Sequence, residues 1–129
     1  MGDLKFRLEL FVNDLEKSVH FYQNILRLPQ GAKSDTSVRF DAEDFSLLLS
    51  DQSILPETHY FSSEKWKQPK GTGVELVIVV PNIHQVYQHI QNEKYPIYEN
   101  IKKQPWGMTD FRLVDPDGYY VRVTSKKEG

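Results

Sequence analysis

Cysteine is absent from the 129 residues, which excludes disulfides, thiolate metal sites and cysteine nucleophiles together. An excess of either charge is missing too: 16 basic against 18 acidic residues leave a formal net charge of -2. No basic field exists to hold a phosphate backbone, so nucleic acid is not an expected partner. No apolar run is long enough for a membrane span, and the opening MGDLKFRLEL has neither the basic start nor the continuous apolar segment of a signal peptide. No membrane partner and a cytoplasmic location are therefore expected. Gly71 and Gly73 in KGTG do not form a phosphate loop, because neither a helix nor a Lys-Ser/Thr pair follows them.

What is present is a globular composition, 39% hydrophobic and 26% charged, at a length suited to one domain. The clearest order runs from Gln104 to Thr124, QPWGMTDFRLVDPDGYYVRVT. Asp115, Pro116, Asp117 and Gly118 have the chemistry of a type I turn, so two strands meet there as a hairpin. Phe111 and Leu113 alternate with Asp110, Arg112 and Val114, and Val121 and Val123 with Tyr120, Arg122 and Thr124. One face is apolar; the other carries charge and rings.

The start of the chain follows a similar order. Phe6, Leu8, Leu10 and Val12 alternate with Arg7, Glu9 and Phe11 in a strand. Asp14 caps a helix with Leu15, Ser18, Val19, Tyr22, Ile25 and Leu26 on its apolar stripe, ending near Leu28 and Pro29. Ser37 to Phe40 and Phe45 to Ser50 form a hairpin. Residues 51–72 carry no period and read as a connector with the rings Tyr60, Phe61 and Trp66. Then come a strand from Val74 to Val80, a helix capped by Asn82 with Gln85 at the capping-box position, a strand from Tyr95 to Lys102, and the closing hairpin. Leu15 falls on Ile83 and Tyr22 on Ile90 at an offset of 68 positions, which points to two copies of one unit.

The strand ending in VNDLEKSVHFYQNIL, the repeated strand, helix, three-strand order, and QPWG followed by DPDG together resemble the vicinal oxygen chelate superfamily over about residues 5 to 125. That superfamily holds glyoxalases, extradiol dioxygenases and bleomycin-resistance proteins. The resemblance implies an α+β fold: one domain over 1–129, built of two βαβββ modules (about 5–50 and 73–125, joined by the connector) that form a curved, mostly antiparallel half-barrel with helices on the convex side. In metal-dependent members, ligands project from the concave face. At their positions this chain has Arg7, Glu75 and Arg122. A guanidinium has no lone pair to coordinate with and keeps its proton. No metal and no other cofactor are therefore expected.

The same alternation places Arg7, Glu9, Phe11, Glu75, Val77, Asp110, Arg112, Tyr120 and Arg122 on the inner faces. Pairing of Arg7 or Arg122 with Glu75 is the natural arrangement of such charges. Trp106 is the leading ring for a ligand, with a core or dimer contact as its other use, and Tyr98 and Tyr120 are candidate walls. The ligand-binding set is thus Arg7, Glu9, Glu75, Trp106, Asp110, Arg112, Tyr120 and Arg122. Three functions fit it: a metal-free, homodimeric binding protein that sequesters an anionic or mixed-charge small molecule; a metal-independent isomerase or lyase with Glu75 as general base; and a non-catalytic interaction module.

Overall fold

The computed structural model describes residues 4–62 and 70–126; Trp66, one of the connector rings, lies outside them. The chain divides into two compact units, Met1–Gln68 and Pro69–Gly129.

In the first unit, β1 (Phe6–Val12), β2 (Gln30–Lys33), β3 (Ser37–Asp41) and β4 (Phe45–Asp51) form a sheet in the order β1-β4-β3-β2. Strand β1 runs parallel to β4 and the other pairs are antiparallel. The helix α1 (Leu15–His20) continues as a π-helical turn over Phe21–Ile25. Asp14 caps it, its carboxylate accepting from the Lys17 amide at 3.2 Å. Leu10, Val12, Phe21, Tyr22, Ile25, Val38, Phe40, Leu47 and Leu49 are buried together as the core of this unit.

The second unit repeats that layout. Strands β5 (Glu75–Val80), β6 (Glu99–Lys103), β7 (Thr109–Val114) and β8 (Tyr120–Ser125) run in the order β5-β8-β7-β6, with β5 parallel to β8. Ile83 and Ile90 of α2 (Ile83–Asn92) join Phe111, Leu113, Val121 and Val123 in the core. The expected turn is present: the Gly118 amide donates to the Asp115 carbonyl at 3.1 Å, and Gly118 takes φ 103, a conformation that needs glycine. These two four-stranded mixed sheets, with few helices, are the α+β architecture expected. Among the described residues no helix is long and apolar enough to cross a membrane.

The repeat is clearer in the backbone than in the letters. Helix α2 ends in a Schellman motif, in which Tyr95 N–H donates to the Ile90 carbonyl and Lys94 N–H to that of Gln91, with Lys94 at φ 59. Arg27 has the same φ, but Leu28 N–H reaches back one residue further, to Tyr22. The offset between the halves therefore falls from 68 at Tyr22 and Ile90 to 67 at Leu28 and Tyr95. The π turn, closed by Leu26 N–H on the Phe21 carbonyl at 3.0 Å, absorbs the extra residue. Because Lys94 sits in the left-handed region, Lys94→Gly is expected to raise stability by about 0.5–1 kcal/mol, measured by urea unfolding.

Two expectations are corrected, and one strand of the expected module gave no signal of its own: all four residues of QGAK in β2 are exposed, so it has no apolar alternation. Strand β6 starts at Glu99, not Tyr95, because Tyr95 closes the helix end and Pro96 follows it. Asn82 stands at the N-cap of α2, yet its side chain makes no capping hydrogen bond.

Candidate functional site

Cross-strand register decides which polar side chains become neighbours in the second unit. Arg112 pairs with Arg122 across β7 and β8, Asp110 with Thr124, and Val114 with Tyr120. On the parallel side Glu75 lies opposite Tyr120, Val77 opposite Arg122 and Val79 opposite Thr124. All of them share the face away from buried Phe111, Leu113, Val121 and Val123.

Arg112 is the hub of that face. Its Nη1 lies 3.1 Å from Asp110 Oδ1 and 3.4 Å from Glu99 Oε2, and its Nε 3.7 Å from Glu75 Oε2. The other Glu75 oxygen is 3.4 Å from Arg122 Nε. The expected pairing of Arg122 with Glu75 is thus formed, and Arg112 joins it from the other side. Asp110 is fully buried, and its Oδ1 also accepts from Gln104 Nε2 at 2.8 Å. Among the described residues, two buried atoms in this cluster have no hydrogen-bond partner, Asp110 Oδ2 and Arg122 Nε, the latter close to Glu75 but misaligned with it.

Around the charges lie apolar and aromatic groups. Val77 and Val79 on the edge strand β5 are 45% and 53% exposed. The Tyr98 ring stands edge-on to Tyr120 at 5.6 Å. Burial raises the Tyr120 pKa, and the Glu99 carboxylate adds to the effect. Trp106 is half exposed in the turn between β6 and β7, where Gly107 takes φ 92, so it is not a core residue.

In the first unit Arg7, Glu9 and Phe11 share a face with Ser46, Leu48 and Ser50 of β4 and with Ser37, Arg39 and Asp41 of β3. Glu9 accepts from Ser50 Oγ at 2.7 Å. The Asp41 carboxylate accepts from Ser46 Oγ at 2.6 Å and from Arg39 Nε at 3.0 Å. These bonds, that of Ser46 first, hold its pKa below the usual carboxylate value. The connector packs rings here, His59 and Phe61 lying 5.6 and 5.7 Å from Phe11. Arg7 is exposed opposite Ser46 and forms no ion pair among the described residues.

Sequence reasoning missed Gln104, Glu99, Arg39, Asp41, Ser46 and Ser50. Extending the alternation through the β3–β4 hairpin would have found Arg39, Asp41 and both serines. Gln104 gave no signal beyond its place in QPWG, because its bond to Asp110 depends on the fold of the turn.

The ligand positions do not fit a divalent ion. Arg7 and Arg122 are cations, and both Glu75 oxygens face guanidinium groups. Leu48, the register counterpart of Arg122 in the first sheet, has no donor atom. Among the described residues no three His, Cys, Asp or Glu side chains are gathered as a metal cluster.

The sequence matches the glyoxalase-like domain family over residues 6–128. It is 26% identical to a lactoylglutathione lyase of Neisseria meningitidis over 129 residues, covering 93% of this chain and 88% of that protein. Similar solved structures include a lactoylglutathione lyase from Agrobacterium tumefaciens, at TM-score 0.73 and 18% identity, covering 98% of this chain and 96% of that one. Another is a glyoxalase/bleomycin resistance protein/dioxygenase from Nocardioides, at TM-score 0.76 and 21% identity, covering 100% of this chain and 87% of that one.

Proposed function

The chain belongs to the glyoxalase-like domain family, within the vicinal oxygen chelate superfamily, and from that premise we propose that it binds a small oxyanion-bearing molecule without a metal and holds it rather than turning it over. The observation that carries this is Arg122. Its guanidinium stands at a ligand position of the family, its Nε lies 3.4 Å from Glu75 Oε1, and its terminal nitrogens form no hydrogen bond to a described residue. Such a group grips a carboxylate or phosphate by two parallel bonds. Val77, Val79 and the Tyr98–Tyr120 pair supply apolar surface for the rest of the ligand. Glu75 is better suited to the role of counter-ion than of general base, because each of its oxygens faces a guanidinium. That favours binding over the isomerase or lyase chemistry that the names of the relatives suggest.

Calorimetric titration with butanoate, a minimal carboxylate with an apolar body, tests this. Saturable binding is expected, unchanged by a chelator and weakened about 10- to 100-fold in Arg122→Met, the share of a charge-assisted hydrogen bond. A stoichiometric transition metal in the purified protein, or equal affinity in the variant, overturns it. A homodimer in the cytoplasm belongs to the same reading. The exposed Phe6–Phe45 stack, at 6.0 Å, supports the homodimer as an apolar patch for a second copy to cover. Light scattering should then give about twice 15.1 kDa.

A further inference from the structure

We infer that the first sheet carries a site of its own for an organic cation: an alkylated ammonium group seated on the rings of Phe11 and Phe61 beside the carboxylate of Glu9. This site lies in the first unit and does not depend on the reading of Arg122.

Glu9 and Phe11 alternate onto the same face of β1, about 7 Å apart along the strand. Phe11 lies opposite Ser50 in the register, and Glu9 opposite Leu48. Because the Ser50 hydroxyl donates to Glu9 Oε2 at 2.7 Å, the carboxylate leans diagonally toward the row of Phe11 and away from Arg7. Glu9 is exposed, and among the described residues its other oxygen has no hydrogen-bond partner and no cation pairs with it. Rings gather at the same end of the strand. His59 and Phe61 stand 5.6 and 5.7 Å from Phe11 and 5.4 Å from each other, and Tyr60 is edge-on to Phe61 at 5.5 Å. Hydrogen bonds hold this wall in place: Phe61 N–H donates to His59 Nδ1 at 3.1 Å, and His59 N–H to the Pro56 carbonyl at 2.9 Å. Anchoring the connector to the sheet accounts for Phe11 and His59, which are partly covered, but not for Phe61 and Tyr60, which stay 55% and 59% exposed. Ring faces carry partial negative charge and attract a cation within about 6 Å of the centroid. A carboxylate with a spare oxygen beside such rings suits a bulky, weakly hydrated ammonium; a metal ion would require more oxygen ligands. Of the two arginines on this face, Arg39 is held by Asp41, and Arg7 lies four residues from Phe11, about 13 Å along β1.

The experiment is an NMR titration of the full chain with choline and with 3,3-dimethylbutan-1-ol, which has the same shape without the charge. Choline is expected to move the amide signals of Glu9, Phe11 and Phe61 and to bind at least about tenfold more tightly than the neutral alcohol. Phe61→Leu should weaken choline about 3- to 30-fold, the range of a cation over a ring. Glu9→Gln, whose amide oxygen still accepts from Ser50, should weaken it about fivefold, as an exposed charge contact does, and leave the alcohol unchanged. Equal affinity for the two probes would reduce the rings to an apolar patch and overturn the inference. So would the absence of saturable choline binding, shifts confined to other residues, or unchanged affinity in both variants. Failure of butanoate to bind would end the reading of Arg122 and leave this site standing, since the two share no residue.

Discussion

Methionine in place of Arg112 is expected to destabilise the fold by about 3 kcal/mol, seen as a lower urea midpoint at unchanged slope. The guanidinium is only 15% exposed and is shared by Asp110, Glu99 and Glu75. Of these, Asp110 matters most. With Arg112 gone, a carboxylate that no water reaches keeps a single donor, Gln104, and its charge is left uncompensated in the interior. Glu75 keeps Arg122 and is partly hydrated, and Glu99 is exposed, so their losses are small by comparison. Adding Asp110→Asn to the Arg112→Met chain should therefore recover part of the loss, a coupling that a double-mutant cycle reads directly. Lysine at 112 should rescue poorly, because one ammonium cannot face three carboxylates from a fixed fork. A loss under about 0.5 kcal/mol would show that the cluster behaves as an ordinary surface network.

Alkaline pH should produce the second large effect. Tyr95 and Tyr119 both have pKa values raised from 10.0 to about 12, by burial first and by the nearby Asp115 carboxylate second. In the unfolded chain each phenol ionises near 10, two units earlier than in the fold. The sign follows: their stabilisation is complete below pH 10 and disappears as pH rises through about 12. Each contributes on the order of 2 kcal/mol after allowance for partial exposure, so urea midpoints should fall steeply across that window. Tyr95 also donates its hydroxyl to the Val114 carbonyl, which ties the end of α2 to β7. Tyr95→Phe loses that bond at every pH, so the slope against pH, not the absolute stability, is the quantity to compare. A double Phe variant with an unchanged slope would assign the alkaline loss to other groups.

The closing hairpin, the Asp14 cap and the apolar stripe from Leu15 to Ile25 are set by spacings of two to four residues, and the chain states them outright. Alternation also assigned Glu75, Asp110, Arg112, Tyr120 and Arg122 to one face, because a pleat leaves each side chain only two directions. The guanidiniums at Arg7 and Arg122, which the family resemblance puts at ligand positions, argued against coordination before the structure, since a guanidinium has no lone pair to offer.

Tertiary structure decided the rest. Strand β2 exists because β3 pairs with it, though its own residues carry no period. The π turn exists because the first copy holds one residue more than the second and its neighbours on both sides are fixed. Above all, the sequence lists three acids and two arginines on the second sheet without saying who meets whom. The burial of Asp110, its bond to Gln104 and the sharing of Glu75 between two cations arise from strand register and side-chain reach across the sheet, which no pattern along a single strand encodes.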